Sequence, residues 1–224
     1  MDIEKIFTQI GGTFITPPGQ IEQTLLKTRA VIFDWDGIFN NGMKSGDSGS
    51  PFSEIDSMGV NLLRFSFWLK NGKIPYCFII TGMHNQTATA YAKREHFDGI
   101  VMNLKKKKLA LDAICSSYKI LPAEAAFIFD DVIYIETARE CGLSFFVRRP
   151  SNPLLVGYVT DNRICNYITA HSGGNHALRE ICELIIGLNG NFNKVTELRI
   201  TCAPEYETYL ELRNNNVTQT ELKI

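Results

Sequence analysis

No uninterrupted apolar run in this chain approaches the roughly 20 residues that would span a bilayer, so nothing in the sequence suggests a membrane-spanning helix. Net charge is also lacking. Lys and Arg number 23 against 24 Asp and Glu, a formal −1, so no basic field draws the chain to nucleic acid or an anionic membrane. The six cysteines, at 77, 115, 141, 165, 182 and 202, form no CxxC pair and stand near no histidine at zinc-finger spacing. Several lie inside apolar stretches such as YCFII and EICELII, which implies buried, reduced thiols and a cytoplasmic setting. The opening MDIEKIFTQIGG carries acids early and has no apolar core leading to a small-residue cleavage site, so no secretion signal is expected.

With 45% hydrophobic and 21% charged residues among 224, the chain has the balance of a single soluble globule able to bury a core. Short, nearly continuous apolar stretches at Val31–Phe33, Tyr76–Thr81, Ile100–Met102, Ala125–Phe129 and Leu143–Val147 predict parallel strands covered on both faces. Between them run helical stripes: Val60, Leu63 and Phe67, then Leu111, Ile114 and Tyr118. Ala177, Ile181, Leu184 and Ile185 mark a third helix after Gly173-Gly174. Strand and helix in alternation predict an α/β fold with a doubly wound, mostly parallel sheet. Residues 40–57, rich in Gly, Ser, Asn and Asp, interrupt the path to the first helix and read as a flap or β-hairpin. Residues 188–224 follow the last clear stripe, and NNNVTQTELKI reads as a polar tail.

Chemistry gathers where the strands end. In VIFDWDGIFN the carboxylates Asp34 and Asp36 sit at i and i+2, on one side of a strand that is running out. Open α/β sheets bind ligands at that edge. FIITG brings the Thr81 hydroxyl and Gly82 to a second strand end, and FIFDD brings Asp130 and Asp131 to a third. The run Lys105–Lys108 opens the helix striped by Leu111, and four residues back from Leu111 is Lys107, an inward-facing counter-charge for phosphate. Lys108 is its rival on helical geometry. One carboxylate can attack phosphorus and a second can pass protons to the leaving alcohol. Acidic oxygen ligands with open positions suit Mg²⁺, and hydroxyl and ammonium groups stabilise charge on the transferring group.

Asp-x-Asp-Gly, Thr-Gly after a strand, Lys, then Asp-Asp after a strand resembles the motif series of the haloacid dehalogenase-like phosphohydrolases. Asp56-Ser57-Met58-Gly59-Val60, the spacing from Lys107 to Pro122 and Asp130, and GGNHALREICELI narrow the likeness to the KDO 8-phosphate phosphatase branch, over roughly residues 29–187. Residues 1–28 and 188–224 become extensions on that reading. The resemblance implies a Rossmann-like core without a large cap, with Asp34 as nucleophile and Asp36 as general acid/base. It implies Mg²⁺ on the Asp34 carboxylate, the Asp36 carbonyl and Asp130, with Asp131 in support and Thr81, Gly82 and Lys107 on phosphate. The substrate would be a small phosphorylated metabolite, a sugar or sugar acid, and the protein a homotetramer whose neighbours close the site.

The chain departs from the branch at Asn40, Met83, Phe129, Tyr134 and His176. Met83 stands where an arginine is usual, Phe129 would place bulk beside the metal, and Tyr134 replaces a frequent aspartate. A second reading is therefore a catalytically weak or silent member kept for binding or assembly. Phosphoryl transfer between sugars needs a shielding cap, for which the stretch between the first two motifs is too short. His84, His171 and His176 read as structural or substrate-contacting residues.

Overall fold

The computed structural model describes residues 1–46, 49–104 and 106–220. The five expected strands form at Ala30–Asp34 (β2), Tyr76–Ile80 (β3), Gly99–Val101 (β4), Ala125–Phe129 (β5) and Leu143–Phe146 (β6), all parallel. Two short strands escaped the sequence reading, Thr13–Phe14 (β1) and Tyr167–Ile168 (β7). They complete a seven-stranded sheet in the order β1-β7-β6-β5-β2-β3-β4, in which β1 alone runs antiparallel. Strands of two residues carry no alternation to detect.

Alternate residues of each central strand feed opposite cores. Val31, Phe33, Cys77, Ile79, Ala126 and Ile128 face one cluster; Ala30, Ile32, Phe78, Ile80, Phe127 and Phe129 face the other. The first is covered by Glu54–Asn71 (α3) and Ala177–Leu188 (α8), the second by Lys107–Tyr118 (α5). Each fully buried Leu, Ile or Phe contributes about 1.5–3 kcal/mol, so a strand with both faces covered is held firmly at its carboxyl end. Phe129 is among these residues, its ring 5.7 Å from Phe127 and 5.2 Å from Phe146. It points into the core, so the bulk expected beside the metal is not there.

Helix α3 begins at Glu54, inside the segment expected as a flap. Ser53 caps it by accepting from the Ile55 N–H at 3.1 Å, and Glu54 and Asp56 lie in the first turn, where acids meet the positive helix end. Among the described residues of 40–53 no strand forms. The expected hairpin is a loop, turned by a bond from Ser45 N–H to the Gly49 carbonyl at 2.7 Å; residues 47 and 48 lie outside the described residues. With only this loop and α3 between β2 and β3, there is no large cap.

The two flanking segments join the core. Phe7, Ile21 and Leu25 pack there from the amino-terminal side. The stretch after residue 188, for which no further helix was expected, forms Phe192–Ile200 (α9) and Pro204–Asn214 (α10), and the segment read as a polar tail begins where α10 ends. Tyr206 donates to Asn61 Oδ1 at 2.8 Å and Tyr209 to the Asn61 carbonyl at 3.1 Å, fixing α10 on α3. Gln219 then pairs beside Gly99, covering the β4 edge. Among the described residues, no helix is long and apolar enough to cross a membrane.

Candidate active site

The chain runs from β2 to β3 and β4 on one side, then crosses to β5 on the other. The switch point therefore lies between β2 and β5, the crevice where such sheets bind ligands. Asp34 ends β2 and Asp130 follows β5, so the two carboxylates meet in that crevice, each 2% exposed. Burial, then the charge of Asp130, holds Asp34 well above the usual carboxylate range, against bonds from Tyr134 and Trp35. Burial likewise pushes Asp130 up to about 6, opposed by Arg149 and assisted by Asp131. Two buried acids this close form a site that favours added positive charge.

Each acid has a partner. Asp34 Oδ1 accepts from the Trp35 N–H at 2.7 Å and from the Tyr134 hydroxyl. Asp130 is paired with the Arg149 guanidinium, and Asp36 with Lys44 at 3.0 Å. Ser50 Oγ accepts from Trp35 Nε1 at 2.9 Å and Asn85 Nδ2 at 3.0 Å. Its single proton is thereby directed to Asp36, with which it is bonded. Asp131 caps the turn Val132–Tyr134 by accepting from Val132 N–H at 2.6 Å.

Thr81 follows β3 and is fully buried, and its Oγ1 has no hydrogen-bond partner among the described residues. A buried orphan hydroxyl is costly; Thr81 is not itself among the residues that line the cleft, although its neighbour Gly82 is. Lys107 is 3% exposed. Its ammonium donates to the Leu104 carbonyl at 2.8 Å and lies 5.8 Å from the centre of the Tyr134 ring. Burial lowers its pKa, with Asp34 opposing. It also passes Gly82, where a Cβ would stand 3.5 Å from Nζ. Lys108 faces outward onto Asp112 and Glu140, which separates the two rivals; Lys105 lies outside the described residues. A cleft of about 290 Å³ is lined by Asp34, Asp36, Gly82, Asp130, Asp131, Lys44, Tyr134 and Arg149, among others.

The loop after Asp36 is shaped by Asn40, one of the departures. Its Oδ1 accepts from Gly37 and Gly42 N–H at 3.2 and 2.8 Å, and its amide donates to the Pro51 carbonyl at 2.9 Å. Gly37 adopts φ +84°, and a Cβ there would collide with Arg149 and Asp130. His84 is exposed, His171 bonds Glu180 at 2.7 Å, and His176 lies 3.4 Å from both Asp56 and Ser53. The cysteines are free, with 77, 115, 165 and 182 buried, 141 half-buried and 202 exposed. A cavity of about 610 Å³ lies by Arg29, Pro75 and Tyr76, at the opposite, amino-terminal ends of the strands.

Sequence reasoning missed Lys44, Ser50, Asn85 and Arg149. Arg149 had a signal, because it follows β6 at the same sheet edge. Asn85 is the α4 (Gln86–Arg94) N-cap, accepting from Ala88 N–H. Lys44 and Ser50 stand in an irregular loop and gave none.

Among the described residues no group of three or more His, Cys, Asp or Glu side chains is placed to hold a metal ion. The set implied for Mg²⁺ needs only two side-chain carboxylates, Asp34 and Asp130, with the Asp36 main-chain carbonyl. The burial of those two acids, which raises both pKa values, and the all-oxygen chemistry fit a hard dication.

No family model matches the chain. It is 26% identical over 182 residues to the 3-deoxy-D-manno-octulosonate 8-phosphate phosphatase KdsC of Yersinia pestis, covering 80% of this chain and 90% of that protein. A solved structure of the phosphatase of that name from Moraxella catarrhalis, in complex with magnesium, phosphate and KDO, superposes with TM-score 0.65 at 25% identity. It covers 80% of this chain and 97% of its own. A probable YrbI family phosphatase from Pseudomonas syringae shares the fold at TM-score 0.67 and 22% identity, over 81% of this chain and 98% of that one.

Proposed function

We propose, on the premise that this chain is a haloacid dehalogenase-like phosphatase of the KDO 8-phosphate phosphatase kind, that it hydrolyses a small sugar or sugar-acid phosphate through an aspartyl-phosphate. The observation that supports this reading is the meeting of Asp34, Asp36 and Asp130 in one cleft, with Lys107 close enough to Asp34 to feel its charge and Thr81 following the neighbouring strand. Asp34 attacks phosphorus, and the bond from phosphorus to the ester oxygen breaks. Asp36 protonates the departing alkoxide. Water then attacks the phosphorylated Asp34, gives its proton to Asp36, and inorganic phosphate leaves. Thr81 and Lys107 hold the phosphoryl oxygens, and Ser50 and Lys44 orient Asp36.

Mg²⁺, held by Asp34, the Asp36 carbonyl and Asp130, would neutralise phosphate charge. The same reading extends to a homo-oligomer, a tetramer by resemblance. It is supported by the exposed apolar Met43, Met83, Val132 and Ile133 near the mouth. A cytoplasmic location is part of the same reading.

Purified protein with Mg²⁺ should release phosphate from an aryl phosphate or from a panel of sugar phosphates, and Asp34→Asn should not. The silent-homologue reading draws on Arg149 and Tyr134, which already engage Asp130 and Asp34. A panel without turnover, with Mg²⁺ binding measured by calorimetry, would favour it.

A further inference from the structure

At the amino-terminal edge of the sheet, away from the acids, the cavity of about 610 Å³ opens between the end of α3 and the start of β3. Its volume is that of a small-molecule site. Arg29 on its wall and Asp34 at the cleft lie at opposite ends of β2, about 16 Å apart along extended chain. A ligand here touches none of the reacting groups.

Part of the lining is apolar. Leu26, Ile74, Pro75 and Leu212 contribute, together with Trp68, whose ring is backed by Phe65 and Tyr209 at 6.0 and 6.4 Å between centroids. A large ring held in this way offers a firm wall to a flat aromatic partner. Leu26 is 51% exposed and Leu212 49%, apolar surface that such a partner would cover. Leu212 comes from α10, so the cavity is complete only with the carboxy-terminal segment docked.

The rest of the lining is cationic. Arg29 donates to the Lys119 carbonyl at 3.1 Å and to Glu124 at 3.3 Å, both through Nη1. Its Nε and Nη2, the edge that grips an oxyanion with two parallel bonds, have no partner among the described residues. Lys73 makes no ion pair among them either. No Asp or Glu stands in the described lining. The carboxyl end of α3 at Gly72 brings roughly half a negative charge, less than the full positive charge of Lys73. Even with Glu124 set against Arg29, the lining is left positive and with donors to spare.

We propose that this cavity is a second ligand site, for a flat aromatic molecule bearing one oxyanion group, with its ring against Trp68 and its oxyanion between Arg29 and Lys73. The site does not depend on the phosphatase reading.

Calorimetric titration of the whole protein with naphthalene-2-sulfonate and naphthalene-2-sulfonamide tests the assignment. The two probes share a ring system and differ by an oxyanion in place of a neutral amide. The sulfonate should bind at least about tenfold more tightly, the scale of a charged hydrogen bond. Lys73→Gln, which breaks no ion pair, should cut that preference about threefold or more, and adding Arg29→Gln should bring the two probes within about threefold of each other. Leu212→Ala leaves both cations in place. It should weaken both probes about fourfold, the scale of one buried methylene, and keep their ratio.

Equal affinities in the wild type, neither probe binding more tightly than about 1 mM, or a preference surviving the double substitution would each overturn the assignment. So would a Leu212→Ala protein that binds both probes as the wild type does, since the ligand would then lie elsewhere.

Discussion

The Tyr134 hydroxyl and the Trp35 N–H converge on one oxygen of Asp34, Oδ1. Burial first, then the charge of Asp34, keeps that phenol protonated far above its ordinary range, so it acts as a donor. Two donors on Oδ1 fix how the carboxylate is turned toward the cleft. Tyr134→Phe removes one of the two and lets the carboxylate swing. A loss of about tenfold in kcat with little change in KM is expected from such misplacement. Steady-state kinetics decide; a rise in kcat would mean the bond restrains the nucleophile.

Asp34→Asn should abolish phosphate release while making the metal-free protein more stable. Both acids of the pair have raised folded pKa values. The folded state therefore holds protons more tightly than the unfolded chain. That contribution is full below the unfolded carboxylate value near 4 and is lost as pH rises through the folded values, about 6 for Asp130. Urea titrations in chelator at pH 5 and pH 8 should show the wild type losing stability between them. The variant should lose less, with a gain of roughly 1–3 kcal/mol at pH 8. An unchanged pH difference would refute the pair's coupling.

Thr81→Val should separate stability from function. The orphan Oγ1 becomes a methyl group of similar size, so folding stability should hold or rise by up to about 1 kcal/mol. Phosphate loses a donor, and kcat/KM should fall about 10–100-fold. A destabilised variant in thermal unfolding would show that the hydroxyl has a structural partner.

Ser50→Ala should cost on both counts. Among the described residues, Asn85 Nδ2 loses an acceptor, Trp35 Nε1 keeps the Ser50 carbonyl at 3.3 Å, and Asp36 loses a donor. About 1–3 kcal/mol of stability should go, with a drop in kcat. Denaturant unfolding alongside kinetics checks both, and full activity would remove Ser50 from the positioning of Asp36.

Tyr209→Ala probes the carboxy-terminal packing. The residue is fully buried, 5.1 Å from Phe65 between ring centroids. Its loss should cost about 3 kcal/mol or more, as for other large core aromatics. A loss of unfolding free energy below about 1 kcal/mol would show that α10 is a detachable appendage.

What the sequence determined by itself is the parallel core and the acids at its edge. Both faces of β2, β3 and β5 are covered, so apolar residues run without a break and stop where the strand does, at Asp34, Thr81 and Asp130. Such a signal is local. The tertiary structure alone decided which group answers each acid, because Arg149, Tyr134, Lys44 and Ser50 reach the cleft from loops and turns whose paths depend on packing. It also decided the fate of the chain after 188. Helices α9 and α10 bury few apolar residues, chiefly Val195, Tyr206 and Tyr209. The place of α10 on α3 depends on hydrogen bonds to Asn61, a residue far away in sequence. Non-local partners leave no periodicity in the segment that needs them.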